Sequence, residues 1–179
     1  MNPAAAPGEP RVRRLLSADA AVYQALRLRA LREHPQAFTS SVEDEQDRPP
    51  AWAQARLRED PLRPHDVFLG AFVDEVLVGV VGLQGRYRAK ERHNATVVGM
   101  YVAPEAAGRG LGQALMHELL ARAQALPALA QLDLTVTEGN DAAQSLYARC
   151  GFAVFGVQPN AIRLDGRELA KVHMGLRLR

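Results

Sequence analysis

Glycine recurs at every second position in the middle of the chain, at Gly108, Gly110 and Gly112. An apolar segment ending before Pro104 precedes this run and a leucine repeat follows it, which predicts a loop between a strand and a helix. Glycines let backbone N–H groups converge on an anion without obstruction by Cβ, and the helix N-terminus adds partial positive charge. The spacing therefore predicts a loop that binds a phosphate or pyrophosphate.

Two better-known phosphate loops do not match this run. A Walker loop requires a Lys-Ser/Thr pair after the last glycine, and none is present. In a dinucleotide fingerprint the third glycine would fall at Gln113, counting from Gly108, or at Leu115, counting from Gly110. A glycine-rich helix entry without a ligand is the alternative that the motif alone leaves open.

A second group of polar residues follows at helical spacing. Asn140, Ala143 and Tyr147 stand at positions i, i+3 and i+7 and so share one helix face. Asn140 is suited to bond an amide-bearing ligand, or to cap the helix, and the two roles are compatible. Tyr147 either places a phenol two turns further along the same face or is a core tyrosine bonded to backbone.

The elements that position these residues follow from periodicity and turn signals. They predict strands at residues 11–16, 67–73, 76–83, 95–102, 131–137 and 152–157, and a hairpin around Asp165-Gly166. Helices are predicted at residues 17–34, 51–58, 141–149 and from Leu111 to just before Pro127, with residues 35–50 as a loop. We expect an α/β (mixed α+β) fold with a central mixed sheet of six to seven strands flanked by about four helices. Residues 11–179 form one domain in this prediction, behind a disordered leader of residues 1–10.

Composition excludes several classes of protein. The chain has 179 residues, is 47% hydrophobic and carries a net charge of +2 without a dense basic stripe, so we expect no nucleic-acid partner. No apolar run is long enough to span a membrane, and no signal peptide is visible. The single cysteine, Cys150, and the absence of a signal peptide favour a cytoplasmic location. No His or Cys pair has metal-ligand spacing, so no metal site is expected.

The two motifs, in this order, resemble those of the GNAT N-acetyltransferase superfamily, closely over residues 95–152. The resemblance implies a loop that holds the pyrophosphate of acetyl-CoA, a strand whose backbone binds the pantetheine arm, and Tyr147 as the general acid for the departing thiolate. Ala107 stands where the family usually has Gln or Arg, and Arg109 is a candidate to compensate. The implied cofactor-binding residues are Met100, Tyr101, Val102, Ala107, Gly108, Arg109, Gly110, Leu111, Gly112, Gln113, Asn140 and Ala143.

The general base is the least defined role. Many family members carry a Glu on the strand before the loop, but residues 92–99 contain no acid. Glu91 and His93 are the nearby candidates, and His93 has an ordinary pKa suited to proton abstraction. A water chain without a dedicated base is the alternative. The acidic run at residues 43–47 is either a wall that attracts a cationic amine or a solvated loop. Trp52 either lines the acceptor pocket or anchors the second helix.

The resemblance implies an enzyme that transfers acetyl directly from acetyl-CoA to a primary amine of a small molecule or a protein. A non-catalytic acyl-CoA sensor is the alternative, since motifs do not separate binding from turnover. A homodimer paired through the C-terminal hairpin is compatible with the sequence.

Overall fold

The computed structural model describes residues 8–179, and a seven-stranded mixed sheet runs through it. Most of the expected leader, residues 1–7, lies outside the described residues. The sheet has the order β1-β2-β3-β4-β5-β7-β6, and only the β4–β5 pair is parallel. The fold class predicted from the sequence is confirmed. The strands are β1 Arg11–Arg14, β2 Val67–Val73, β3 Val76–Gly85, β4 Asn94–Val102, β5 Gln131–Thr137, β6 Ala153–Leu164 and β7 Arg167–Arg177.

Five α-helices accompany the sheet in the described part of the chain. One of them corrects the expected loop at residues 35–50, because Ser41 and Asp44 form a reciprocal capping box that starts a short helix there. The first helix also begins later than expected, since residues Ser17–Asp19 form a 3₁₀ turn. The helices are α1 Ala20–Glu33, α2 Val42–Glu45, α3 Pro50–Leu57, α4 Leu111–Gln124 and α5 Asp141–Arg149.

The core lies on both faces of the central strands. All side chains of β3 from residue 77 to residue 83 are buried, and both α1 and α4 contact this strand. The leucine repeat of α4 turns inward as its spacing predicts, with Leu111, Leu115 and Leu119 buried. This packing holds the start of α4 rigidly beside the end of β4.

The parallel strands β4 and β5 separate soon after they meet. They pair at only three positions, from Asn94 opposite Gln131 to Thr96 opposite Asp133. Beyond that point Gly99 adopts a positive φ of 64°, and β4 carries an extra residue relative to β3 between Val98 and Tyr101. Such a bulge bends the strand, so a gap opens between the carboxyl ends of β4 and β5. Ligands of open α/β sheets bind at this kind of gap.

The edge of the sheet formed by β6 is exposed. Strand β6 pairs with β7 alone and exposes the large apolar side chains of Val154, Phe155 and Val157. The predicted turn at Asp165-Gly166 joins the two strands, with positive φ at both residues. The homodimer expected from this hairpin stays a prediction. No helix among residues 8–179 combines the length and the apolar character that crossing a membrane requires.

Candidate functional site

The glycine loop forms an open cradle of backbone amides. Gly108 and Gly110 each have a φ of +74°, and Gly110 is the N-cap of α4. No atom lies within 4 Å of the position that a Cβ would take at either glycine. Within residues 8–179, the backbone N–H groups of residues 108–113 have no acceptor. The loop thus offers a row of free donors at a helix N-terminus, which is the arrangement that binds an anion.

The side chains of the loop contribute less than its backbone. The Ala107 N–H is bonded to the carbonyl of Pro104, and Leu111 is buried beneath the loop. The Arg109 guanidinium donates to the Gly8 carbonyl at 3.3 Å. Gln113 is exposed on α4. The hydrogen-bond donors of this loop are therefore mainly its backbone amides. This agrees with Ala107, which has no side-chain donor at a position where the family usually has Gln or Arg.

An ion-pair network fixes the turn before this loop. Arg29 of α1 donates to both carboxylate oxygens of Glu105, at 2.6 and 2.7 Å, and to Glu33 at 2.7 Å. The guanidinium holds the pKa of Glu105 at about 2. The Tyr101 hydroxyl donates to the other oxygen of Glu33 at 2.5 Å. The Tyr101 side chain is thus engaged with α1.

A cavity of about 710 Å³ lies in the gap between β4 and β5 and reaches Gly112 at the start of α4. The strand end with Met100, Tyr101 and Val102 forms one wall, together with Gly112 of α4. The opposite wall comes from the end of β5 and from α5, and the α1–α2 connection and the β6–β7 turn cover the space. The structure thus brings together six of the predicted cofactor-binding residues, namely Met100, Tyr101, Val102, Gly112, Asn140 and Ala143.

Asn140 is the N-cap of α5. Its Oδ1 accepts the N–H of Ala143 at 3.2 Å. The cap uses the amide oxygen, so the side-chain NH₂ is the group left to donate to a ligand. The two roles considered from the sequence are compatible in this geometry.

A second cavity of about 300 Å³ adjoins the first. The two share six wall residues, among them Met100, Thr137 and Asn140. Tyr147 lines the second cavity and is only 7% exposed, with its ring edge against Phe152 at 6.1 Å between centroids. Burial raises the pKa of its phenol, so the hydroxyl keeps its proton at neutral pH and is able to donate it.

The site contains two further polar residues that the sequence patterns did not predict. Thr137 is 2% exposed and lines both cavities, and its Oγ1 has no hydrogen-bond partner in the described chain. Lys171 stands opposite Thr137 on β7 and donates to Thr39 Oγ1. Burial lowers the pKa of its ammonium group. The sequence could have indicated Thr137, because its hydroxyl stands at the end of a strand with alternating apolar residues. No local pattern in the sequence indicates that Lys171 belongs to the site.

The candidate bases do not reach these cavities. His93 is exposed just before β4, at the end of the strand that pairs with β5, and its carbonyl accepts the N–H groups of Ala130 and Gln131. The first cavity meets β4 only from Met100 to Val102. The second reaches back along β4 to Thr96 but not to His93. Glu91 lies near Arg86, at 3.9 Å. Neither candidate belongs to the lining of either cavity.

The acidic run does not form an acceptor wall. Glu45 is buried and pairs with Arg27, while Asp44 caps α2. Trp52 packs against the core. The guanidinium groups of Arg48 and Arg56 lie over its ring, at 5.3 and 5.4 Å from the centroid. No group of three or more His, Cys, Asp or Glu residues within residues 8–179 is placed to hold a metal ion.

Comparison with known proteins adds the family. The family model described as the acetyltransferase (GNAT) family matches residues 28–152. N-alpha-acetyltransferase RimI of Mycobacterium tuberculosis is 30% identical over 118 residues, which are 65% of this chain and 71% of that protein.

Solved structures share the fold. An acetyltransferase of the GNAT family from Streptococcus pneumoniae superposes with a TM-score of 0.81 at 24% identity, over 94% of this chain and 99% of that one. The acetyltransferase yncA from Salmonella typhimurium, solved with its cofactor acetyl-CoA, has a TM-score of 0.78 at 23% identity, over 96% and 95% of the two chains. The fold, the two motifs and the family match agree: this chain belongs to the acetyltransferase (GNAT) family.

Proposed function

We propose that this protein is an N-acetyltransferase that moves an acetyl group from acetyl-CoA directly to a primary amine, of a small molecule or a protein. The observation that carries the proposal is the continuity of the site. A cradle of free amides, a cavity along the end of β4 and a cavity lined by a protonated phenol adjoin one another. This sequence of surfaces matches a ligand with a diphosphate at one end and a thioester at the other.

The residues present fit the cosubstrate. The N–H groups of residues 108–113 would hold the pyrophosphate, since these donors are free and the glycines leave room for close approach. Met100, Val102, Asn140 and Ala143 would contact the pantetheine arm along the first cavity. The buried Thr137 hydroxyl without a partner marks a position where a ligand would supply a hydrogen bond.

Bound acetyl-CoA supplies an activated acyl group, and the chain supplies position and protons. The N–C bond forms as the C–S bond breaks, and Tyr147 donates its proton to the sulfur. The lining of the second cavity, for the residues the structure describes, contains no carboxylate or imidazole. We therefore assign the amine proton to a water path rather than to His93 or Glu91.

A non-catalytic acyl-CoA sensor is the second candidate, favoured by Ala107 at a position where the family usually has Gln or Arg. Two measurements separate the candidates: calorimetric titration with acetyl-CoA, and thiol release from acetyl-CoA with a broad panel of amines. The enzyme is expected to bind acetyl-CoA and to release thiol only when an amine is added. Binding without release for every amine would favour the sensor, and absence of binding would overturn both proposals.

A further inference from the structure

The second cavity has an unusual balance of charge. Three cationic side chains line it, Arg27, Arg56 and Lys171, together with hydroxyl and amide groups such as those of Gln84 and Thr96. No carboxylate belongs to this lining in the part of the chain the structure describes. The charged residues of this lining are therefore all cations.

One of the three cations is neutralised within the protein. Arg27 donates to both oxygens of Glu45, at 2.8 and 3.0 Å, and the two side chains are only 12% and 7% exposed. This bidentate pair neutralises the guanidinium and uses the one buried carboxylate of the acidic run. It leaves no charge for a ligand to balance.

Arg56 is held in place without a carboxylate partner. Its Nε donates to the Tyr23 hydroxyl at 3.0 Å, and its guanidinium lies over the Phe68 ring at 4.6 Å from the centroid. Among residues 8–179, no acid lies within ion-pair distance of it. These contacts fix the orientation of the group and leave its terminal nitrogens as donors.

Lys171 faces the same cavity from β7, across from the helices. Its ammonium donates to Thr39 Oγ1, and no carboxylate of the described residues pairs with it. Burial lowers its pKa, in agreement with the absence of a paired carboxylate that would offset its desolvation. A bound anion would remove this penalty.

We propose, on the basis of the proposed function, that the acceptor is a small amine that also carries an anionic group, and that Arg56 and Lys171 bind this anion. Charge-assisted hydrogen bonds from guanidinium and ammonium groups recognise carboxylates and phosphate-like anions. A volume of about 300 Å³ suits a small molecule. The same charge balance disfavours the cationic amine that the acidic run suggests in the sequence, because like charges in a confined site repel.

The first test compares acceptors that differ only in charge, on wild-type protein. Amino acids, their carboxamides, aminoalkylphosphonates and diamines are each supplied with acetyl-CoA, and thiol release is measured. We expect kcat/KM to be at least about tenfold higher for an anionic amine than for its uncharged counterpart. The carboxylate and phosphonate arms distinguish the two kinds of anion.

The second test uses Arg56→Gln and Lys171→Gln, with Arg48→Gln as a matched control that removes a cation over the same Trp52 ring but outside the cavity lining. For the anionic acceptor, KM should rise by roughly tenfold or more in the two cavity variants and change little in the control. KM for an uncharged amine and the Kd of acetyl-CoA should stay within about threefold. Lys171→Arg keeps the charge and should recover part of the loss.

The outcomes separate this inference from the function on which it rests. Equal or faster turnover of uncharged or cationic amines by wild type would overturn the anionic-acceptor assignment and leave the transferase intact. Equal loss toward charged and uncharged acceptors in the variants would also overturn it. Absence of thiol release with every amine would instead overturn the proposed function itself.

Discussion

The guanidinium of Arg29 donates to both carboxylate oxygens of Glu105 and so joins α1 to the turn before the glycine loop. The same guanidinium reaches Glu33, which accepts the Tyr101 hydroxyl from β4. The loop is therefore held from α1 as well as from the sheet. This relationship connects a helix that is distant from the cradle in sequence to the position of its free amides.

Removal of this connection should weaken cosubstrate binding modestly. In Glu105→Gln we expect the Kd of acetyl-CoA to rise by about two- to fivefold, because an exposed ion pair holds the turn only weakly. Calorimetric titration measures the change. Arg122→Gln, which breaks the exposed pair with Glu118 on α4, is the control and should leave Kd unchanged. An effect of equal size in both variants would argue against a specific role of Glu105.

The same pair predicts how binding depends on pH. Arg29 lowers the pKa of Glu105 to about 2, so the carboxyl stays ionised and paired throughout the range above its ordinary value. The contribution of the pair is present above pH 4.5 and is lost as pH falls through about 2. The effect of Glu105→Gln on acetyl-CoA affinity should therefore be constant between about pH 5 and about pH 8. A several-fold change across that interval would contradict this assignment.

Tyr147→Phe should separate chemistry from binding. Loss of a general acid commonly lowers turnover by about 10²–10⁴-fold, whereas the Kd of acetyl-CoA should hardly change. Thermal stability should also be nearly unaffected, since burial and Cys150, and no hydrogen bond, account for the shift in the phenol pKa among residues 8–179. Because burial raises the phenol pKa, wild type should keep its proton donor at mildly alkaline pH. Turnover of Tyr147→Phe close to wild type would remove this residue from the mechanism.

The conformation of Gly110 allows a controlled test of the cradle. An added Cβ meets no atom within 4 Å at Gly110 or at Gly156, but only Gly110 has a positive φ. Gly110→Ala should therefore lower the free energy of unfolding by about 1–2 kcal/mol and weaken acetyl-CoA binding, because alanine resists this conformation. Gly156→Ala should do neither. Chemical denaturation and titration of both variants decide the matter.

Thr137 and Thr96 should respond in opposite directions to the same substitution. The Thr137 hydroxyl is buried without a partner in the described chain, so Thr137→Val should raise the free energy of unfolding by about 1 kcal/mol. The Thr96 hydroxyl donates to Asp133 at 2.7 Å, so Thr96→Val should lower it by about the same amount. Thr137→Val should also raise the KM of acetyl-CoA. Destabilisation by Thr137→Val would show that the hydroxyl already has a partner.

Acid should unfold the protein partly through Asp19. Arg13 lowers the pKa of this carboxyl by bonding both oxygens at 2.8 Å, and the Leu16 N–H bonds it as well. The stabilisation is present above the ordinary pKa of 3.8 and is lost as pH falls through the lower folded value. At pH 7, Asp19→Asn should cost about 1–3 kcal/mol in urea denaturation. The difference in the free energy of unfolding between Asp19→Asn and wild type should narrow as the pH is lowered below about 4, which is the ordinary carboxyl pKa.

Local spacing was enough to determine much of this protein. The alternate glycines before Leu111 predicted the cradle, and Asp165-Gly166 predicted the hairpin turn, because each depends on the conformation of a few neighbouring residues. The periodicities of β5 and α4 predicted their buried faces for the same reason. The short helix α2 was missed, since four residues are too few for periodicity to appear.

Only the tertiary structure decided what stands around Tyr147. His93 precedes β4 and Gly99 lies within it, yet only the tertiary structure shows that the second cavity is lined by Gly99 and not by His93. Arg56 and Lys171 meet at one cavity although a helix and a distant strand carry them. Sequence patterns report the face on which a residue lies within its own element. Which elements share a cavity depends on long-range strand pairing and packing, and a single sequence does not encode these contacts in any local spacing.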